Sequence, residues 1–141
     1  MIGRTPDRWD RSVDVVVIGS GAAGLSAATA AHDAGAEVRL LERAPLIGGT
    51  TGVSGGIVWV PVNDLARAAG LPDTREEALA YIRRLTLNRE PDGELLEVFV
   101  DRAAEAVRYL QERTPLELMV SHAFTDYYAD LPGGKPTGRS A

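Results

Sequence analysis

Residues 14–42, DVVVIGSGAAGLSAATAAHDAGAEVRLLE, decide the fold. Val15, Val16, Val17 and Ile18 form an apolar, β-branched run that is too short for a helix and lacks the alternation of a half-exposed strand, which predicts a buried central strand. The run stops at Gly19. Gly19, Gly21 and Gly24 then set a G-x-G-x-x-G spacing, an alanine-rich helix is predicted over 22–33 and ends at Gly35, and a second strand over 37–41 closes on Glu42. In such a unit the first glycine permits a tight turn, the second lets a pyrophosphate approach the backbone, and the third lets helix and strand pack closely. The N–H groups at the helix start face the diphosphate, and an acid at the end of the second strand accepts hydrogen bonds from an adenosine ribose. Glu42 would also repel a 2'-phosphate, which disfavours NADP. The order of strand, glycines, helix, strand and acid is that of a dinucleotide site.

Working outward, the 141 residues are one domain's worth, and 45% apolar with 25% charged residues is ordinary for a packed core. A formal net charge of −5 offers no basic field for nucleic acid or anionic lipid. No cysteine is present, so a disulfide or a thiolate metal site within the chain is excluded, and redox chemistry must come from a bound cofactor. His32 and His122 stand apart with no H-E-x-x-H spacing, and no metal centre is expected. The first twelve residues, MIGRTPDRWDRS, are polar and unlike a secretory leader, and no apolar run approaches the ~18 residues that span a bilayer, so the expected location is cytoplasmic. Trp9 is expected to pack near the first strand.

After Glu42 and Arg43 the chain carries five glycines, Gly48, Gly49, Gly52, Gly55 and Gly56, interleaved with Thr50, Thr51 and Ser54. Such a loop lets backbone N–H groups crowd along an extended ligand. It leads into the apolar residues 57–60, which call for burial. From Asn63 the pattern turns helical. Asn63 or Asp64 caps a short helix through Ala69, Thr74 and Glu77 form a capping box, and Ala78, Leu79, Ile82 and Leu85 make an apolar stripe. Pro91, Asp92 and Glu94 open a longer helix to about Arg113, with Leu95, Phe99, Ala103, Val107 and Leu110 as its core face. Arg75, Arg83 and Arg84, and the acids Glu94, Glu97, Asp101 and Glu105, read as solvated faces. Residues 116–120 suggest a short strand, and the turn-rich tail clusters Phe124, Tyr127 and Tyr128, which either pack or line a substrate site. The fold class is therefore α/β: an incomplete Rossmann-like domain with a βαβ unit followed by a helical segment, divided as 1–62, 63–115 and 116–141. Two sure strands are too few for a covered parallel sheet, so the chain is expected to be the N-terminal part of a longer protein and to self-associate through an open strand edge.

GSGAAG at 19–24, LLERAPLIGGTT at 40–51 and SGGIVWVPVN at 54–63 resemble the N-terminal end of the fumarate reductase and 3-ketosteroid dehydrogenase flavoprotein family, with the steroid branch the nearer. The resemblance implies that Gly19, Ser20, Gly21, Ala22, Ala23 and Gly24 cradle the diphosphate of FAD. It places Glu42 and Arg43 at the adenosine, and runs Gly49, Thr50, Thr51, Ser54, Gly55 and Gly56 toward the isoalloxazine. The covalent-flavin branch has a histidine in this loop and this chain has none, which implies non-covalent FAD. Ile57 stands where the steroid branch has a further glycine, which leaves the substrate class open. The D-Y-Y segment of that branch lies near the substrate channel and implicates Tyr127 or Tyr128 without choosing between them. The implied activity is 1,2-desaturation of a 3-ketosteroid-like substrate. A base removes the proton α to the carbonyl, a tyrosine polarises the carbonyl oxygen, and hydride passes to flavin N5. No residue set here supplies all three roles, so turnover by the 141-residue chain alone is not expected. The alternatives are a catalytically inactive FAD-binding fragment, a non-catalytic binding module, an NAD-dependent dehydrogenase, and an oxidoreductase of the fumarate or succinate type.

Overall fold

The computed structural model describes residues 7–87, 89–90 and 93–141, which form two compact units, one running to Gly56 and the other Ile57–Ala141. In the first unit β1 (Val15–Ile18) and β2 (Val38–Leu41) pair in parallel with Val15 opposite Val38 and Ile18 opposite Leu41, and α1 (Ala22–Asp33) makes the crossover and packs on both strands. This is the βαβ unit of an incomplete Rossmann-like α/β fold. Its helix has the predicted bounds and its second strand begins one residue later than expected. The Gly19 N–H continues the ladder to the Leu41 carbonyl at 2.7 Å, and a single 3₁₀ turn, Thr51–Val53, punctuates the glycine loop.

The buried central strand is corrected. Only Val17 of β1 is buried, while Val16 and Ile18 are 54% and 86% exposed. A strand is buried on both faces only when strands and helices flank it. Among the described residues β1 has one strand neighbour, β2, and one covering helix, α1. Trp9 is likewise exposed rather than packed.

The second unit holds α2 (Asp64–Ala68), α3 (Arg75–Leu85) and α4 (Gly93–Arg113), and α3 and α4 meet over a core of Ala78, Leu79, Ile82 and Val100, against which Trp59, Val62 and Leu96 pack. Asn63 caps α2 by accepting from the Ala66 N–H at 2.7 Å, and Thr74 caps α3 by accepting from the Glu77 N–H at 3.2 Å. The Glu77 carboxylate meets the Thr74 hydroxyl and the Lys135 ammonium, so the capping box is only half made. Pro91 and Asp92, expected to open α4, lie outside the described residues. Its buried stripe is rotated from the expected one. Val100 and Leu96 face the core, whereas Leu95 and Phe99 are exposed and Phe99 stacks on Trp59 with centroids 6.2 Å apart. Arg75 bonds Asp101 and Glu97, and Arg83 bonds Glu97, so these expected solvated charges tie α3 to α4.

Residues 116–120 form no strand. The position beside residues 58–60 is taken instead by the end of the tail, where Val58 and Ala141 exchange N–H···O bonds of 2.9 and 3.0 Å and the Val60 N–H donates to the Arg139 carbonyl at 2.7 Å.

Candidate functional site

In the first unit the glycine turn is shaped from three directions. Gly19 has φ +95°, where a side chain is strained, and a Cβ on Gly24 would stand 2.0 Å from the Gly19 carbonyl oxygen. These two glycines serve the turn and the helix–strand approach. Gly21 differs: its φ of −69° suits any residue, and a Cβ there would have only the Thr51 hydroxyl within reach, at 3.9 Å. Neither backbone nor packing requires a glycine at 21. What its missing side chain keeps open is the space before the start of α1, and Gly49 lies against the same backbone.

Ser20 ties this turn to β2 and to the loop. Its side chain is buried, with the hydroxyl donating to Glu42 Oε2 at 2.6 Å and accepting from the Gly48 N–H at 2.9 Å, while its own N–H donates to the same Oε2 at 3.0 Å. Glu42 Oε1 accepts from the Ala44 N–H at 2.8 Å. Donation from the Ala44 N–H, the Ser20 hydroxyl and the Ser20 N–H outweighs the cost of desolvation and holds the Glu42 carboxyl at about 2, so it is an anion across the physiological range. Oε1 keeps a lone pair for a further donor. The Ala22 N–H, which an α-helix leaves without an intrahelical partner, donates to Thr51 Oγ1 at 3.1 Å. Ser54 bonds back to the Thr51 carbonyl and accepts from the Gly56 N–H. Of the expected cofactor residues, Gly19, Ser20, Gly21, Ala22, Gly24, Glu42, Gly49 and Thr51 are thus assembled around one turn, and Gly48, expected only as part of the glycine loop, joins them. Ala23, Arg43, Thr50, Gly55 and Gly56 are exposed around it.

The donor set fits a dinucleotide diphosphate. An open cradle lies over a glycine that the fold itself does not need. Beside it a hydroxyl and a helix N-terminus supply donors, and a fixed carboxylate can accept from a ribose.

The second unit holds a cavity of about 250 Å³ lined by Ile57, Trp59, Tyr81, Leu85, Phe124 and Tyr127, with Thr125 and Ser140 as its polar edge. Tyr127, 96% exposed, lines it, whereas Tyr128 is not among its lining residues. Desolvation by burial pushes the Tyr81 hydroxyl above its ordinary value, and that oxygen accepts from the Tyr128 N–H at 3.3 Å. Behind the wall sits Arg139, whose side chain is 1% exposed. Its guanidinium grips Asp73 with two bonds of 2.6 and 2.9 Å, donates to Asp126 Oδ2 at 2.8 Å and to the Gly133 carbonyl at 2.9 Å, and lies 5.5 Å from the ring centroids of both Trp59 and Tyr81. Asp126 Oδ1 accepts from the Trp59 indole N–H at 2.6 Å.

Asp73, Asp126 and Arg139 escaped the sequence reading. They stand 66 and 13 residues apart with no periodicity to link them, and the one available signal was that WVPVN must be held by something. That segment is indeed held. Trp59 bonds Asp126. Val62, a β-branched residue at φ +50°, is pinned by its N–H to Asp73, and the buried Asn63 amide spans the Val60 and Gly138 carbonyls.

Among the described residues no group of His, Asp or Glu could hold a metal ion, and no helix is long and apolar enough to cross a membrane.

Residues 14–139 match the FAD binding domain family. The chain is 42% identical over 127 residues to a 3-oxosteroid 1-dehydrogenase of Mycolicibacterium smegmatis, covering 90% of this chain and 22% of that protein. It is also 42% identical over 127 residues to a 4-oxocyclohexanecarboxylate 2-dehydrogenase of Sinomonas cyclohexanicum, with the same coverage. The solved structure of 3-ketosteroid delta1-dehydrogenase from Sterolibacterium denitrificans superposes with a TM-score of 0.83 at 38% identity, over 91% of this chain and 22% of that one. The chain therefore spans little more than a fifth of the length of these relatives.

Proposed function

The chain belongs to the FAD binding domain family, on its ketosteroid dehydrogenase side, and from that membership we propose that it is the N-terminal, FAD-binding part of an oxidoreductase that desaturates a cyclic ketone of the 3-ketosteroid class. The observation that carries the reading is the Ser20–Glu42–Gly48 knot, which fixes an open glycine cradle beside an ionised carboxylate. Gly21, Gly49 and Thr51 would hold the diphosphate, and the Glu42 carboxylate would accept from the adenosine ribose. The histidine-free loop is in keeping with a flavin held without a covalent bond. When bound, FAD supplies the hydride acceptor.

This chain's own contribution at the substrate is binding and orientation. The apolar walls of the cavity offer contact area to a flat ring, and the Tyr127 hydroxyl donates to the ketone oxygen, a bond that strengthens as that oxygen gains charge. Among the described residues no carboxylate, imidazole or amine lines the cavity, so the base that takes the proton α to the carbonyl is assigned to the part of the relatives that this chain does not span. Among the described residues the lining also holds no cation. A carboxylated monocycle such as the Sinomonas relative's name describes would bury its charge unpaired there, and an uncharged ring ketone suits the lining better.

The test is the absorbance spectrum of the purified chain, with any released cofactor identified and quantified. About one FAD per chain is expected. A colourless protein that takes up no added FAD overturns the cradle assignment.

A further inference from the structure

The cavity wall is not held by apolar packing alone. The Trp59 ring meets two charged neighbours at once, Asp126 Oδ1 at its N–H and the Arg139 guanidinium 5.5 Å from its centroid, while its backbone bridges to Ser140. Asp126 is flanked by Thr125 and Tyr127, both of which line the cavity, and its backbone N–H is anchored to the Lys135 carbonyl at 2.9 Å. Its second oxygen accepts from the Arg139 Nη1 and from the Lys135 N–H at 2.9 Å. Each donor of this knot is matched by an acceptor, and no buried side-chain polar atom is left without a partner among the described residues. An indole held by its N–H on a carboxylate that is itself clamped by a buried arginine has one orientation available, where a ring held by contact alone would have several.

We propose that Asp126 and Arg139 are positioning residues that act through the Trp59 indole, fixing it as a rigid wall of the cavity that receives a flat ring ketone. The proposal rests on the cavity being the substrate site, and it separates into a claim about Trp59 and a claim about ligand. Asp126→Asn offers one acceptor oxygen where Trp59, Arg139 and Lys135 together need two, so the indole N–H or the guanidinium loses its partner.

Trp9→Phe leaves Trp59 as the only tryptophan, so its emission reports the wall directly. In that background Asp126→Asn is expected to shift Trp59 emission to longer wavelength and to raise its quenching by acrylamide. It is also expected to weaken binding of androst-4-ene-3,17-dione by about tenfold, both measured below each variant's unfolding midpoint. Starting from Trp59→Phe, which has no N–H to hold, Asp126→Asn is expected to cost no further affinity. Full additivity of the two losses overturns the proposal, and so does unchanged Trp59 emission in Asp126→Asn. If the unmutated chain does not bind the steroid while the emission shift appears, the positioning of Trp59 stands and the substrate assignment of the cavity fails. Should Asp126→Asn not fold, the Trp59 indole N–H of the unmutated chain decides the matter: slow hydrogen exchange is expected, and free exchange with solvent overturns the proposal.

Discussion

Replacing Arg139 by methionine separates charge from packing at the centre of the second unit. Methionine keeps an unbranched apolar stem between Trp59 and Tyr81, so the cavity cost of the substitution is small, whereas all four guanidinium hydrogen bonds, to Asp73, Asp126 and Gly133, are lost. Asp73 and Asp126, with side chains 7% and 1% exposed, would be left as buried anions without their cation. Removing one partner of a buried pair costs about 3–5 kcal/mol. A unit of this size is stable by about 4–13 kcal/mol, so the midpoint of thermal unfolding should fall by roughly 15–30 °C.

The deficit also has a pH signature. In the unmutated chain burial opposes ionisation of Asp73, but the Arg139 hydrogen bonds, the Val62 N–H and the Arg139 charge together hold its carboxyl below the ordinary range. Its contribution is therefore present above the unfolded carboxylate value of about 3.9 and is lost as pH falls through the lower folded value. In Arg139→Met burial dominates and raises that carboxyl, so protonation restores stability. The gap between the two proteins should be widest near neutrality and narrow toward about pH 4. Thermal unfolding by circular dichroism across that range measures both effects. A deficit under about 1 kcal/mol, or one indifferent to pH, would refute the buried-pair account. So would a charge-stripped Asp73→Asn/Asp126→Asn/Arg139→Met variant no more stable than the single substitution.

Gly24→Ala sets a methyl 2.0 Å from the Gly19 carbonyl oxygen, a backbone atom that can yield only by moving the helix. A loss of about 1–3 kcal/mol from the first unit and of FAD retention is expected, read by chemical unfolding and flavin absorbance. Ser20→Ala removes one of the donors to Glu42 and the acceptor of the Gly48 N–H. The Glu42 carboxyl should titrate above its present value of about 2, as carboxyl NMR would show, and an unchanged titration would discount the Ser20 hydroxyl as a cause. Because that carboxyl is depressed, what it contributes to the first unit is present above the ordinary carboxylate range and disappears only as pH falls toward about 2, so the Ser20→Ala chain should lose it at a higher pH.

The βαβ unit was legible because its signals are local. A β-branched run, glycines at fixed offsets and a helix ended by glycine each act within one or two turns of chain, and the same holds for the caps at Asn63 and Thr74. These features depend on backbone conformation and on hydrogen bonds to near neighbours, which the residue types dictate by themselves.

Burial was less legible. Val15 to Ile18 read as a strand covered on both faces, yet Val16 and Ile18 are exposed, because burial depends on what lies alongside and not on the strand's own residues. On α4 two apolar stripes compete, and packing against α3 selected the one through Leu96 and Val100.

The sequence by itself determined the turn, the helix, the parallel pair and the acid at its end, since each follows from dihedral preference and periodicity over a short span. Only the tertiary structure decided that Ser20 spends its hydroxyl on Glu42 and Gly48, that Tyr127 lines the cavity, and that Arg139 bridges carboxylates 66 and 13 residues away. A buried charge has no sequence period. Its position is set by where the folded chain brings its counter-ions together, and that is known only once distant segments meet.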